Sequence, residues 1–300
     1  MTILDDPAVA AFLDTHSNHA TGPRPLAVFD CDGTVIQGDI GEAMFYRQIE
    51  HFHFRRSPAS VWTDHPRRDE LERLYAELAP LAGEERNARN AYHAFAEMLL
   101  GRYFDQIASG AVEKACADIV RLFAGYTPAE VRRLADEAWE EEFSSQPGRV
   151  LLGGRDLPRG ARYIAESVEL IRALTERRFD IWAVSGSNKW SVEPVVRALG
   201  IPAERVIGIE LEVQNGVLTE LTAGPVPIRA GKIDALRRLT NTVPLLAASD
   251  SKNDIPLLLY SAGLKIRINS RKRSTAEFFS SAGTSPDATW VLVESPHIME

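Results

Sequence analysis

Short unbroken apolar runs alternate with longer stretches of helical periodicity through the second half of this 300-residue chain. The runs fall at Leu26 to Phe29, Ile181 to Val184, Val206 to Val213, Pro244 to Ala248, Leu264 to Ile268 and Thr289 to Val293. Runs of this kind suit strands buried on both faces, as in a parallel sheet. Helical patterns follow over Gly160 to Arg178, Lys189 to Leu199, Ala230 to Thr240, Ile255 to Ala262 and Lys272 to Ala282. The alternation predicts an α/β fold, a parallel sheet covered by helices. Within it, "VQNGVL" sets Asn215 and Gly216 between β-like residues, the signal for a two-residue hairpin and one small antiparallel excursion.

Residues from about 40 to 157 read differently: strand runs are missing, and "RLYAELAPLA", "YHAFAEMLLGRYF" and "VEKACADIVRLFAGY" carry helix-length periodicity instead. The expected organisation is a core domain of residues 1–39 and 158–300, with residues 40–157 as an all-helical insertion directly after the first strand. An insertion there hangs over the carboxyl end of that strand, where open α/β sheets bind ligands.

A chain of this length with 45% hydrophobic residues is large enough for one main unit and one smaller one. The formal net charge of -8 argues against nucleic-acid and anionic-membrane partners, so an anionic substrate needs a local positive site. The opening "MTILDDPAVAAFLDTH" has no basic region and only a short apolar stretch; neither a secretory leader nor a membrane span is expected, and Asp5, Asp6 and Pro7 read as a helix start. The 2 cysteines, Cys31 and Cys116, are too few for a disulfide framework or a structural zinc site. A soluble, cytoplasmic protein is expected, with a homodimer left open.

Four pieces carry chemistry. In "LAVFDCDGTVIQGD", Asp30 and Asp32 share a face at a strand end while Cys31 points the other way. The plain reading is a turn, with Gly33 at positive φ; an EF-hand is excluded because Val35 stands where its loop needs glycine. In "DIWAVSGSNKW", Ser185 to Asn188 supply hydroxyls and free N–H groups at a helix start, suited to an anion or simply to an N-cap. Lys232 opens a helix, where a cation opposes the macrodipole, although a solvated lysine is the commoner reading. In "LLAASDSKNDIPLLL", Asp254 with Pro256 is a helix-opening signature, whereas Asp250 ends its strand in the same topological position as Asp30.

The ordered set "DCDGT", "VSGS", helix-start lysine and "DSKND" resembles the four motifs of the haloacid dehalogenase superfamily, and more narrowly its phosphoserine-phosphatase-like branch. The similarity runs on through "NGVLTELTAG" and "AGLKIRI", covers about residues 26 to 39 and 159 to 293, and is more specific for the fold than for the reaction. The insertion is similar only in location. The resemblance implies a Rossmann-like core and hydrolysis of a small phosphorylated metabolite. Asp30 is then the nucleophile that forms an aspartyl-phosphate, and Asp32 the general acid/base. Two carboxylates near a phosphate dianion repel, by about 4 kcal/mol per unit pair at about 4 Å and an effective dielectric of about 20. The implied remedy is Mg2+, held by the Asp30 side chain, the Asp32 backbone carbonyl and Asp250. Lys232 would neutralise Asp30 and a phosphoryl oxygen; Ser185, Gly186 and Asn253 would bind the phosphate; Asp254 would orient Lys232 or a metal-bound water. Ser249 departs from the glycine usual before the metal aspartate.

Asp32 disfavours carbon–halogen hydrolysis, because dehalogenases of the superfamily lack an acid/base there. A phosphonate-cleaving relative needs a Schiff-base lysine from the insertion, and Lys114, alone of its kind there, reads as solvated. For the substrate, Asp39 and Glu42 have the spacing of residues that meet the ammonium in phosphoserine phosphatases, and Phe95 and Arg102 that of the aromatic and the carboxylate-binding arginine, although an aromatic and an arginine seven apart are common on any helix face. The longer insertion adds Phe45, Tyr46, Trp62, Tyr92, Tyr103 and Trp139, which read mostly as core, some of them suited to a cation–π site for a larger amine as in the phosphocholine phosphatases that the chain resembles in outline. His51 to Arg56, "HFHFRR", reads as a half-buried or solvated face. A phosphotransferase or mutase on the same scaffold stays open. A phospho-accepting regulatory domain is the non-enzymatic rival, opposed by Asp32 and the insertion.

Overall fold

The structure is a computed structural model that describes residues 2–17, 22–271 and 273–299. Its sheet holds β1 (Leu26–Phe29), β2 (Asp180–Asn188), β3 (Val206–Ile209), β4 (Leu246–Ser249), β5 (Leu264–Ile268) and β6 (Trp290–Val293). They are parallel and lie side by side as β6-β5-β4-β1-β2-β3. This is the doubly wound order, which reverses direction beside β1 and opens a crevice at the carboxyl ends. Phe29 stands opposite Ala183 of β2 and Ala248 of β4, so the first residue beyond β1 emerges between the ends of both neighbours.

Helix α1 (Pro7–Thr15) precedes the sheet. Next come α2 (Ile40–Glu50), α3 (Pro58–Val61), α4 (Arg68–Leu78), α5 (Gly83–Asn87), α6 (Asn90–Ala108), α7 (Val112–Arg121) and α8 (Pro128–Ser144). Then α9 (Ala165–Glu176), α10 (Lys189–Arg197), α11 (Gly231–Arg237), α12 (Ile255–Tyr260) and α13 (Thr275–Ala282) alternate with strands. Side chains alternate along the strands, and the two sets enter separate cores. Ala27, Phe29, Ile181 and Ala183 join the cluster that α1, α9 and α10 cover. Leu26, Val28, Trp182 and Val184 join the one under α11, α12 and α13. Burial on both faces explains why these strands read as continuous apolar runs. The helices of 40–144 close on a third core, with Phe95, Leu99, Val131 and Leu71 wholly buried.

Three boundaries differ from expectation for local reasons. The run predicted as one strand over Val206 to Val213 breaks at the exposed Glu210, where apolar continuity gives way to alternation. β3 ends at Ile209, and Leu211–Gln214 instead pairs antiparallel with Val217–Thr222. The turn between them is the predicted Asn215–Gly216, at φ 52 and 82, the doubly positive geometry of a type I′ hairpin. The insertion is helical to Ser144 and closes in a ribbon of Gly148–Leu152 with Arg155–Arg159, turning on Gly153 and Gly154. The helix predicted from Gly160 starts only at Ala165, because Arg162–Tyr163 pairs with Ile36–Gln37. That pairing ties the strand leaving the core to the strand re-entering it. Lys272, the predicted start of the last helix, lies outside the described residues. Among the described residues, no helix is long and apolar enough to cross a membrane.

Candidate active site

Three adjacent strand ends build the site. Beyond β1 the Cys31 side chain turns into the core, and its carbonyl accepts from the N–H groups of Thr34, Val35 and Ile36 at 3.1, 2.8 and 3.1 Å. This tight turn passes under Asp250. Gly33 has φ 82, and a Cβ there would stand 2.5 Å from Asp250 Oδ2, so both backbone and space require glycine. Thr34 Oγ1 donates to Asp30 Oδ2 at 3.1 Å and accepts from Asp250 N at 2.9 Å, pinning the ends of β1 and β4 together.

Lys232, at the start of α11, explains why a cation stands against the helix dipole. Its Nζ donates to Asp30 Oδ1 at 2.7 Å and lies 2.8 Å from Asp254 Oδ1, with all three side chains buried. Burial alone would lower the ammonium's pKa; Asp254 and Asp30 outweigh it and raise the value. Ser249 Oγ donates to Asp254 Oδ2 at 2.6 Å, so the serine that departs from the superfamily pattern holds the carboxylate that meets the lysine. Asp254 itself is pushed up, by burial first, although Lys232 opposes this.

Asp32 is anchored separately. Its Oδ1 accepts from Ile40 N at 2.7 Å, and its Oδ2 from Ser185 Oγ at 3.0 Å and Ser187 Oγ at 2.7 Å. Burial, then Asp39 and Asp30, pushes its pKa to about 7 against those hydrogen bonds. A carboxyl near that value is poised to give a proton and take it back near neutral pH.

Sequence reasoning missed Arg271, on the loop after β5. Its Nη2 donates to the Asp32 carbonyl at 3.4 Å and lies 3.9 Å from Asp39 Oδ2, and its Nε is 3.0 Å from Asp250 Oδ2. The Nε approach lacks hydrogen-bond geometry: Asp250 Oδ2 is buried with no hydrogen-bond partner. Burial pushes Asp250 to about 7, with Arg271 opposing and Asp30 adding to the rise. An orphaned carboxylate oxygen beside a second carboxylate and a backbone carbonyl is a hard-oxygen donor set, which fits magnesium. Among the described residues, no three His, Cys, Asp or Glu side chains gather as ligands, so water would complete the shell, as magnesium commonly allows.

Asp30, Asp32, Asp250, Asp254, Lys232, Ser185, Gly186, Asn253, Asp39 and Glu42 all line one cavity of about 220 Å³. Residues 27–259 match the family model described as haloacid dehalogenase-like hydrolase. The chain belongs to that family. Phosphoserine phosphatase SerB2 of Mycobacterium tuberculosis is 36% identical to the hydrolase over 120 residues, which is 36% of this chain and 29% of that relative. The hydrolase therefore matches under a third of that relative's length. Two solved structures share the fold: a functionally unknown protein from Anaerococcus prevotii, with TM-score 0.68, 19% identity and coverage of 87% of this chain and 85% of that one, and a protein of unknown function from Bordetella pertussis, with TM-score 0.56, 18% identity and coverage of 91% and 99%.

Two predicted substrate residues of the hydrolase are not brought to the cavity. Phe95 packs among Phe52 and Phe54 in the insertion's core. Arg102 pairs with Asp64 at 2.6 Å and with the buried Asp118 at 2.8 Å. Lys114 joins the same network, 2.7 Å from Asp118. Of the aromatics, Phe45 and Tyr103 reach the cavity, Tyr46 touches Glu42, Trp62 and Tyr92 are core, and Trp139 packs on Tyr163. In the His51 to Arg56 run, Arg55 and Arg56 form exposed pairs with Glu130 and Glu220.

Proposed function

We propose that this hydrolase is a magnesium-dependent phosphatase that cleaves a small phosphomonoester bearing an amine, through an aspartyl-phosphate. One observation carries the reading: a buried Lys232 spans Asp30 and Asp254 while Asp32, held separately, faces the same cavity. Asp30 Oδ attacks phosphorus in line and the ester oxygen departs, taking a proton from Asp32. Water then attacks the acyl phosphate at phosphorus, Asp32 takes back a proton, and inorganic phosphate leaves with the Asp30 carboxylate restored. Lys232 offsets negative charge on Asp30 and on a phosphoryl oxygen. Ser185, Gly186 and Asn253 are assigned to the phosphate. Mg2+, with Asp30, Asp250 and the Asp32 carbonyl as its ligands, would supply charge neutralisation for the phosphoryl oxygens.

Residues 40–157 are assigned as a cap over a core of 1–39 and 158–300, excluding water and choosing the alcohol. Asp39 and Glu42 in the cavity support an amine on that alcohol, as does the curated relative named as a phosphoserine phosphatase. A panel of phosphorylated metabolites, assayed for inorganic phosphate with Mg2+ and with chelator, tests the reading. Magnesium-dependent release without any acceptor alcohol is expected. Release only when an acceptor is present, or no release, would overturn it.

A further inference from the structure

We infer that the alcohol part of the substrate is a compact cation without an acid group, so that the enzyme takes amino-alcohol phosphates in preference to amino-acid phosphates; this rests on the phosphatase reading above. The floor and the roof of the cavity differ in kind. On the roof, Phe45, Tyr103, Ile107, Ile119, Val120 and Phe123 form an apolar wall around Glu42. Glu42 Oε1 accepts from the Tyr103 hydroxyl at 2.9 Å, and Oε2 from the Tyr46 hydroxyl at 2.8 Å. Phenolic hydroxyls fix a carboxylate in place without neutralising it. Among the described residues, none forms an ion pair with Glu42. A fixed carboxylate without an ion-pair partner, beside aromatic side chains, is a receptor for an ammonium group, primary or quaternary.

The same wall disfavours a substrate carboxylate, which would lose its water against apolar side chains and face Glu42. Arg102, the roof cation with the spacing to receive one, is spent on Asp64 and Asp118. The described cations that line the cavity, Lys232, Arg271 and Arg273, belong to the floor. Lys232 and Arg271 already face Asp30, Asp254 and Asp250, which leaves the exposed Arg273. The cavity of about 220 Å³ lies below the roughly 300–1,000 Å³ of sites for drug-sized ligands, in keeping with a small alcohol.

Two matched pairs of esters test this with the full chain and Mg2+. Phosphoethanolamine and phosphoserine differ by one carboxylate; phosphocholine and 3,3-dimethylbutyl phosphate share a shape and differ by the charge. We expect kcat/KM to favour the first of each pair by at least about tenfold, and Glu42→Gln to bring the second ratio close to one. A ratio within one protein does not depend on how much of the variant is folded. Phosphoserine matching phosphoethanolamine, the more so if Arg273→Ala then lowers phosphoserine turnover selectively, would overturn the inference, and so would a charge preference that survives Glu42→Gln. In either case hydrolysis of p-nitrophenyl phosphate keeps the phosphatase reading standing; no release from any of these esters would remove that reading itself.

Discussion

The floor and the roof of the cavity are built on opposite principles. The floor gathers Asp30, Asp32, Lys232, Asp250 and Asp254 from strand ends and helix starts. There charges meet groups remote in sequence: Lys232 meets Asp30 across 202 positions, and Ser185 meets Asp32 across 153. The roof is apolar around Glu42, which is held by hydroxyls from its own helix and from α6. Charges clustered out of water tolerate little change, since removing one strands its partners. An apolar wall with one charge can be repacked at small cost to stability. On the proposed function, the contrast gives the reaction to the floor and the choice of alcohol to the roof.

The strongest way to break that contrast is Asp30→Asn. Turnover should fall by about a thousandfold or more on every ester, because the phosphoryl group would have no carboxylate to accept it, while circular dichroism stays that of the folded chain. Phosphate release near the parent rate would remove Asp30 from its role. Lys232→Met comes next. It leaves Asp30 and Asp254 buried without their cation and should cost about 3–5 kcal/mol in urea unfolding of the metal-free protein. A loss below about 1 kcal/mol would mean that the floor is not a desolvated charge cluster.

A pH titration sharpens the same point. Asp32 and Asp250 are pushed from the ordinary 3.8 to about 7 by burial, so the folded chain binds protons more tightly than the unfolded one. Stability of the metal-free protein should therefore rise as pH falls from about 7 toward 4, opposite to a salt-bridged carboxylate, and Asp32→Asn should flatten the slope. Urea midpoints measured in chelator at several pH values check this; midpoints that fall over that window would contradict it. The smallest effect is expected of Arg271→Gln. The guanidinium stands against Asp250 and the Asp32 carbonyl, so its loss should tighten Mg2+ severalfold by calorimetry. Unchanged or weaker binding would show that Arg271 does not compete for those oxygens.

The sheet and its floor were legible because buried parallel strands write themselves as short apolar runs, and because Asp30 and Asp250 directly follow β1 and β4, with Ser185 in the last part of β2. The Asn215–Gly216 turn was legible for its backbone chemistry. Thr34, Ser249 and Arg271 were not, since their partners are set by the register of β1 against β4 and by a loop path, neither of which leaves a local pattern. The Gly153–Gly154 turn was there to be read between "RVLL" and "RDLP". The roof misled for a geometric reason. Spacing put Phe95 and Arg102 on one face of α6 but could not say which face meets the cavity. The structure presents Tyr103 and Ile107, a face that starts one residue on, about 100° around the helix.

Trapping the covalent intermediate tests the central claim most directly. Acid quench during steady turnover, borohydride reduction and peptide mass analysis should find position 30 converted from aspartate to homoserine, as reduction of its acyl phosphate requires. Steady phosphate release with Asp30 unmodified, or with the conversion at another carboxylate, would contradict the account.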